Sequence, residues 1–528
     1  MLVGYVSDER HAAVADANVE LRGAHGVIAA RSLPSGAIHA EIPEGPCTAI
    51  VQKAGFGAKT VAVTLRADRP HLFRLLSDTP LGYAWPKWVR AGESAEFRLH
   101  APEAVWMELW RYGIDKVKVR DLGWFDEYGP RAMAQILPDG DFTQTGAQWN
   151  RTGFGNPMYR QQAIAPARSG LYYFHGRTTS GRFFSFPWIV APAQPTAPIA
   201  VLASNVTWNA YNVFGGRNNY TNPDGLPAVP IVNVRQDGRR YTDPDHVTYG
   251  ADAYPPLSFD RPEPDNAIPE HARPDDPIHS RYACGGAPNE WRLLAWLERE
   301  GFAYDLHAET QLDAGLVDLD RYRVLVLSCH PEYWTRRMYE TVKRWVHERG
   351  GRLAYLGGNG INCEVTFAGD AMVCLNGNQR RRPTPAPIES RFELTVENEA
   401  SLLGVAFTHA GVMTAAPYRV LDAGHWAFAG TGLADGDVFG TASLHSRTPG
   451  GASAHETDKL TPQSPPGTRV LAEGMNPDSG GAQMATYETA SGGAVFAAAS
   501  LAWPSAVLVD EHVSRITRNV LSRFLGRE

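Results

Sequence analysis

Three oxygen-bearing side chains carry the chemistry most legible in this chain: Tyr211 in Thr207-Trp208-Asn209-Ala210-Tyr211-Asn212, Tyr254 in Tyr249-Gly250-Ala251-Asp252-Ala253-Tyr254, and Glu332 in Ser328-Cys329-His330-Pro331-Glu332-Tyr333-Trp334. Two phenols and a carboxylate can together form an oxygen-only metal site. A free tyrosine ionises only near pH ~10, so it is a poor ligand at neutral pH until a highly charged cation stabilises the phenolate. Two phenolates and a carboxylate bring three negative charges, which balance a trivalent hard ion and suit soft or monovalent metals badly. Three protein ligands also leave open positions, one for water held as hydroxide and one for a carbonyl oxygen to be polarised.

The Glu332 segment can be placed on an element. Tyr322 to Ser328 is a short apolar, β-branched run of the kind buried in a parallel sheet. After Trp334 the period changes. Thr335 can cap a helix whose Met338, Val342, Trp345 and Val346 share a face, and Gly350 follows as a stop. Arg352 to Leu356 is strand-like again. The pattern is a βαβ unit with Cys329-His330-Pro331-Glu332 on the loop at the carboxyl end of a strand, the edge where open α/β sheets bind ligands.

At 528 residues the chain exceeds one ordinary domain. A net charge of -7 argues against a nucleic-acid or anionic-membrane partner. The run Arg380-Arg381-Arg382 beside Pro383 and Pro385 reads as a solvated loop. The five cysteines, Cys47, Cys284, Cys329, Cys363 and Cys374, are odd in number and lack CxxC spacing, so neither a disulfide framework nor a zinc knuckle is expected. The N-terminus carries Asp8 and Glu9 where a signal peptide needs an apolar core, and no run of ~18 apolar residues occurs. The expectation is a soluble cytoplasmic protein.

Three regions follow from periodicity. Residues 1–77 alternate in short strands, including Val3 to Val6, Ala17 to Leu21, Thr48 to Gln52 and Thr60 to Val63, as in a small regulatory-like β-sandwich. Residues 78–195 form a second, Ig-like β-sandwich, ending at a linker marked by Pro192 and Pro195. Residues 196–528 read as an α/β catalytic domain on a parallel sheet, glutamine amidotransferase-like or flavodoxin-like, with a β-rich insertion. Its strands include Ile199 to Ala203 and Gly492 to Ala499, and Val513, Ile516, Val520 and Phe524 line a closing helix. The long stretch from Pro223 to Pro288, rich in Pro, Asp and Tyr, reads as a lid or pocket wall, with Tyr241, Tyr249, Tyr254, Phe259 and Tyr282 favouring order.

Ala200 to Tyr211, Tyr249-Gly250 with Tyr254, His330-Pro331-Glu332-Tyr333, and Gly357-Gly358-Asn359-Gly360 together resemble the catalytic domain of the N,N-dimethylformamidase large (β) subunit family, over roughly 170–527. The His-Pro-Glu-Tyr turn is the specific part. The resemblance implies a mononuclear ferric site that hydrolyses a small N-substituted amide to a carboxylate and an amine. Tyr211, Tyr254 and Glu332 match the ligands. His330, Asn359 and Glu456 match catalytic pocket residues, with His330 or Glu456 moving a proton to the leaving amine and Asn359 as an added oxyanion donor. The family's members also carry a lectin-like sandwich near the N-terminus and pair with a small subunit; this chain has other β modules there. A small partner subunit or a homo-oligomer is therefore expected as the assembly, with no nucleic-acid or membrane partner. Trp208, Phe214 and Trp334 suggest an apolar pocket for an alkylated nitrogen.

Two competing readings remain. Cys329 ends a strand before a turn into a helix, with His330 adjoining, as in cysteine hydrolases of glutamine amidotransferase-like type; its bulky neighbours His330, Pro331 and Glu332 argue against a nucleophile elbow. The other is a non-catalytic binding protein whose β modules recognise a polymer.

Overall fold

Short alternating segments at the N-terminus pair into two sheets. In this computed structural model, which describes residues 1–24, 26–126, 133–151, 161–232, 251–279, 284–376 and 391–527, Gly26–Arg31, Asn18–Gly23, Gly45–Lys53 and Gly57–Leu65 form one antiparallel sheet. Ala37–His39, Leu2–Ser7 and His71–Arg74 form the other. Their inward positions, among them Val3, Val6, Leu21, Ile38, Val51 and Phe73, make a separate apolar core. The next region repeats the device with a five-stranded sheet of Lys116–Phe125, Val105–Tyr112, Gly170–Thr178, Phe183–Ala191 and Trp88–Arg90, set against a three-stranded one. Phe97, Leu99, Met107, Phe174 and Trp188 fill the space between.

The remainder is organised by a nine-stranded sheet in the order Tyr304–Ala308, Ile199–Ala203, Val324–Cys329, Arg352–Gly357, Ala494–Ala497, Gln483–Glu488, Arg469–Gly474, Tyr418–Val420 and Val438–Phe439. The first five run parallel. From Ala494–Ala497 onward the pairing is antiparallel. The continuous apolar strands sit in the parallel half because both of its faces are covered. Helices Ala287–Arg299 and Glu511–Leu525 are among the elements that cover it. Helix Arg336–Arg349 begins at Thr335, whose side chain accepts from Met338 N, and stops at Gly350, which takes a φ of 75°.

The expectation of an α/β domain on a parallel, glutamine amidotransferase-like or flavodoxin-like sheet is corrected by this architecture. Among the described residues strand accounts for 36% and helix for only 16%, and antiparallel sheets predominate. The physical reason lies between Arg352–Gly357 and Ala494–Ala497. A doubly wound sheet needs a helix in each crossover, whereas the described residues of this connection form mostly short strands and turns, including the hairpin Cys363–Ala368 and Ala371–Leu375. The strongly apolar runs identified the parallel strands, but they carried no information about the short alternating segments that extend the sheet. Among the described residues no helix is long and apolar enough to cross a membrane. Tyr241, Tyr249, Gly250, Tyr282 and Arg380 to Arg382 lie outside the described residues.

Candidate active site

Glu332 is placed by a tight turn off the parallel strand Val324–Cys329. Cys329 takes a φ of 58° as the strand ends, the Glu332 N–H donates to the His330 carbonyl at 2.9 Å, and it also reaches Thr207 Oγ1 at 3.1 Å. Thr207 belongs to helix Asn205–Tyr211, which follows the neighbouring strand Ile199–Ala203. Two adjacent strand ends thus fix the Glu332 backbone and Tyr211 relative to one another.

The side chains then converge. Tyr211 Oη lies 2.8 Å from Glu332 Oε2. Tyr220, which sequence reasoning missed, has its hydroxyl 2.7 Å from Tyr211 Oη and 3.0 Å from Glu332 Oε1. Its signal was present in Gly215-Gly216-Arg217-Asn218-Asn219-Tyr220: the glycines adopt φ of 110° and 88° and turn the chain back. Asn218 closes that turn, donating to the Tyr211 carbonyl at 2.7 Å and accepting from Tyr220 N at 2.8 Å. Tyr254 is 2% exposed and belongs to the same buried cluster as Tyr211, Tyr333, Cys363 and Cys374. Its N–H donates to the Cys374 carbonyl.

His330 approaches the same Glu332 oxygen as Tyr211, with the two rings 5.5 Å apart. Its Nε2 is 3.3 Å from Glu332 Oε2 and 3.0 Å from Glu456 Oε2. Asn359 Nδ2 donates to the same Glu456 oxygen at 3.0 Å, and Asn359 N donates to Asp458 Oδ1 at 2.8 Å. Gly358 permits this meeting of loops, because a Cβ there would collide with Leu501 N and the Glu456 carbonyl. The geometry therefore brings together Tyr211, Glu332, His330, Asn359 and Glu456, adds Tyr220, and places Tyr254 in the adjoining cluster.

Burial governs the electrostatics. It pushes the Glu332 carboxyl up, with His330 opposing and Glu456 reinforcing the rise. Glu456 is also pushed up by burial, but His330 and its hydrogen bond outweigh this and hold it below the usual range. Burial lowers His330, yet Glu456 and Glu332 prevail and raise it. The rise at His330 and the fall at Glu456 share one cause, the closeness of the imidazole to the Glu456 carboxyl. Asp458 is pushed up to about 7 by burial.

A cleft opens onto Tyr211 and His330, bounded by Trp208, Asp265, Cys284, Arg447 and His455. Among the pocket aromatics expected from sequence, Trp208 lines it. Phe214 instead packs with Leu137, Phe142 and Trp149 in another core, and Trp334 is fully buried with its Nε1 donating to Glu309 at 2.7 Å. Cys329 is also fully buried, its thiol directed 3.3 Å from the Cys284 carbonyl. Burial pushes that thiol well up, away from nucleophilic thiolate. All five cysteines are free.

Among the described residues no three of His, Cys, Asp and Glu are grouped so as to hold a metal. A cation at this centre would have to draw on the phenols, and the Tyr211 and Glu332 oxygens, 2.8 Å apart, are hard donors of that kind.

The family model described as N,N-dimethylformamidase beta subunit-like, C-terminal, matches residues 117–514. The N,N-dimethylformamidase beta subunits of Paracoccus aminophilus and an Alcaligenes species are each 26% identical over 292 residues, covering 46% of this chain and 37% of the relative. The chain thus spans little more than a third of those relatives. A putative carbohydrate binding protein from Bacteroides uniformis superposes at a TM-score of 0.13, with 12% identity, covering 35% of this chain and 88% of that one. The Bacillus anthracis TIE protein gives the same TM-score and identity, with 38% and 36% covered. Overlap that slight carries no argument about fold or function.

Proposed function

We propose, for a chain that belongs to the N,N-dimethylformamidase beta subunit-like family, that it hydrolyses the C–N bond of a small N-substituted amide to a carboxylate and an amine. The observation that carries this reading is His330 Nε2 held between Glu332 at 3.3 Å and Glu456 at 3.0 Å, beside the Tyr211 phenol, on an open cleft. Tyr211, Tyr254 and Glu332 would hold a single ferric ion. When bound, that ion supplies a Lewis acid that polarises the amide carbonyl and acidifies water at neutral pH.

The chain's own residues handle the proton. Amide cleavage needs the leaving nitrogen to gain one as the C–N bond breaks, and a group poised between two carboxylates can take and return it. His330 carries that proton at Nε2. Glu456 stabilises the imidazolium, and Asn359 fixes Glu456 through Nδ2, which makes Asn359 a positioning residue first and an oxyanion donor second. Thr207 and the turn at Cys329 hold Glu332 against Tyr211. Trp208 lines the cleft and offers an apolar surface to the alkyl groups of the amide. The named relatives are beta subunits, so a small partner subunit or self-assembly belongs to the same proposal, as does a cytoplasmic location.

The test is amine release from formamides, acetamides and larger N-alkyl amides by the ferric-loaded chain, with and without a candidate small subunit. Turnover of N,N-dimethylformamide or a close analogue is expected, and Tyr254→Phe should remove the metal or most activity with the fold intact. A colourless chain that cannot be loaded and releases no amine would favour a binding role instead.

A further inference from the structure

Tyr220 is absorbed by none of the roles above, yet it touches both Tyr211 and Glu332. The three hydroxyl and carboxylate contacts measure 2.7, 2.8 and 3.0 Å, and two phenols supply only two hydrogens for them. Resting on the metal reading of the site, we propose that Tyr220 is a positioning residue for the cation ligands: its hydroxyl bridges the oxygens of Tyr211 and Glu332, 2.7 and 3.0 Å away. With a cation in place of the Tyr211 proton, which is released to solvent, the Tyr220 hydroxyl would be the one hydrogen left in the triangle, with the Tyr211 and Glu332 oxygens as its acceptors.

The placement of Tyr220 is built into the fold. The Gly215-Gly216 turn is held against the N-terminal region, since a Cβ at Gly216 would strike His11 and Arg10. Asn218 then pins the backbone of Tyr220 beside that of Tyr211. The two rings lie 4.5 Å apart at 30°, so the hydroxyl is delivered by a side chain with little freedom left to lose. A group that hydrogen-bonds a ligand sets its orientation and its donor strength, and removing such a partner costs ~10–100-fold in metal affinity. A phenolate without its hydrogen bond also gives up electron density more readily, which moves its charge-transfer band to longer wavelength.

The experiment titrates the full chain, Tyr220→Phe and Tyr254→Phe with ferric citrate, reading visible absorption and affinity by competition with a chelator. Tyr220→Phe keeps the ring packing, so its thermal midpoint should match that of the parent chain. It is expected to bind ~10–100-fold more weakly, with the band at longer wavelength. A ring-fluorinated tyrosine at this position keeps the hydroxyl and should restore affinity, which a role in packing alone would not require. A parent chain that binds ferric ion with Tyr220→Phe indistinguishable from it would overturn the role of Tyr220 and leave the metal reading standing. A parent chain that takes up no ferric ion overturns both.

Discussion

Among the buried carboxylates that meet phenols, Asp260 and Glu332 lie in contrasting surroundings. Asp260 accepts from Tyr83 at 2.5 Å and from the Arg98 guanidinium at 2.5 Å, with both charged side chains under a tenth exposed. Glu332 accepts from Tyr211 and Tyr220 and shares His330 with a second carboxylate. The fold brings its own permanent cation to Asp260. At Glu332 the direct contacts are two phenols and a group that can lose its proton, with Arg391 adding a positive charge nearby. A carboxylate of the first kind joins parts of the fold, here strand Ser94–His100 to the segment at Asp260. On the proposed reading, one of the second kind receives a cation and exchanges protons.

Substitution at each carboxylate should separate the two roles. Glu332→Gln is expected to lower kcat/KM by at least ~100-fold together with metal affinity, while urea denaturation shows a stability within ~1 kcal/mol of the parent. A variant that keeps its activity breaks the comparison. Asp260→Asn leaves the buried Arg98 with the more exposed Glu96 as its remaining counter-charge and should cost about 1.5–3 kcal/mol of stability in the same denaturation experiment. A cost below ~1 kcal/mol would place Asp260 with Glu332 rather than opposite it.

Glu290 sharpens the contrast as a third case, with neither a guanidinium nor a phenol. Its carboxylate accepts from Ser204 N at 2.9 Å, and burial pushes its pKa up to about 7. The folded state therefore holds a proton that the unfolded chain releases from about pH 4.5 upward. That raised pKa makes stability fall as pH rises from about 4.5 to about 7, by on the order of 3 kcal/mol at most. Glu290→Gln should flatten that limb of the stability–pH curve, and an unchanged slope would assign it to other groups. The smallest effect belongs to Cys329→Ser, which should leave turnover within about twofold because the thiol is buried and protonated. Abolished turnover would restore the cysteine-hydrolase reading.

Much of the site could be read from local pattern. The Val324 to Leu327 run announced a buried strand, Thr335 and Gly350 announced the ends of a helix, and the turn between them located Glu332 and His330. Tyr220 was missed because its role depends on a glycine turn that folds the chain back onto Tyr211, a tertiary consequence that periodicity does not encode. The fold class was misread for a related reason. Apolar runs reveal which strands are buried on both faces, but short strands such as Tyr418–Val420 and Arg469–Gly474 are too brief to show a period. Phe214 and Trp334 show the same limit: their aromatic character was plain, and the direction of each side chain was set by helix and turn packing.

The most direct test of the central claim is anomalous diffraction at the iron edge from crystals of the ferric-loaded chain. One peak within bonding distance of the Tyr211 and Glu332 oxygens is the expected result. A peak elsewhere, or none in crystals shown by elemental analysis to contain iron, would contradict it.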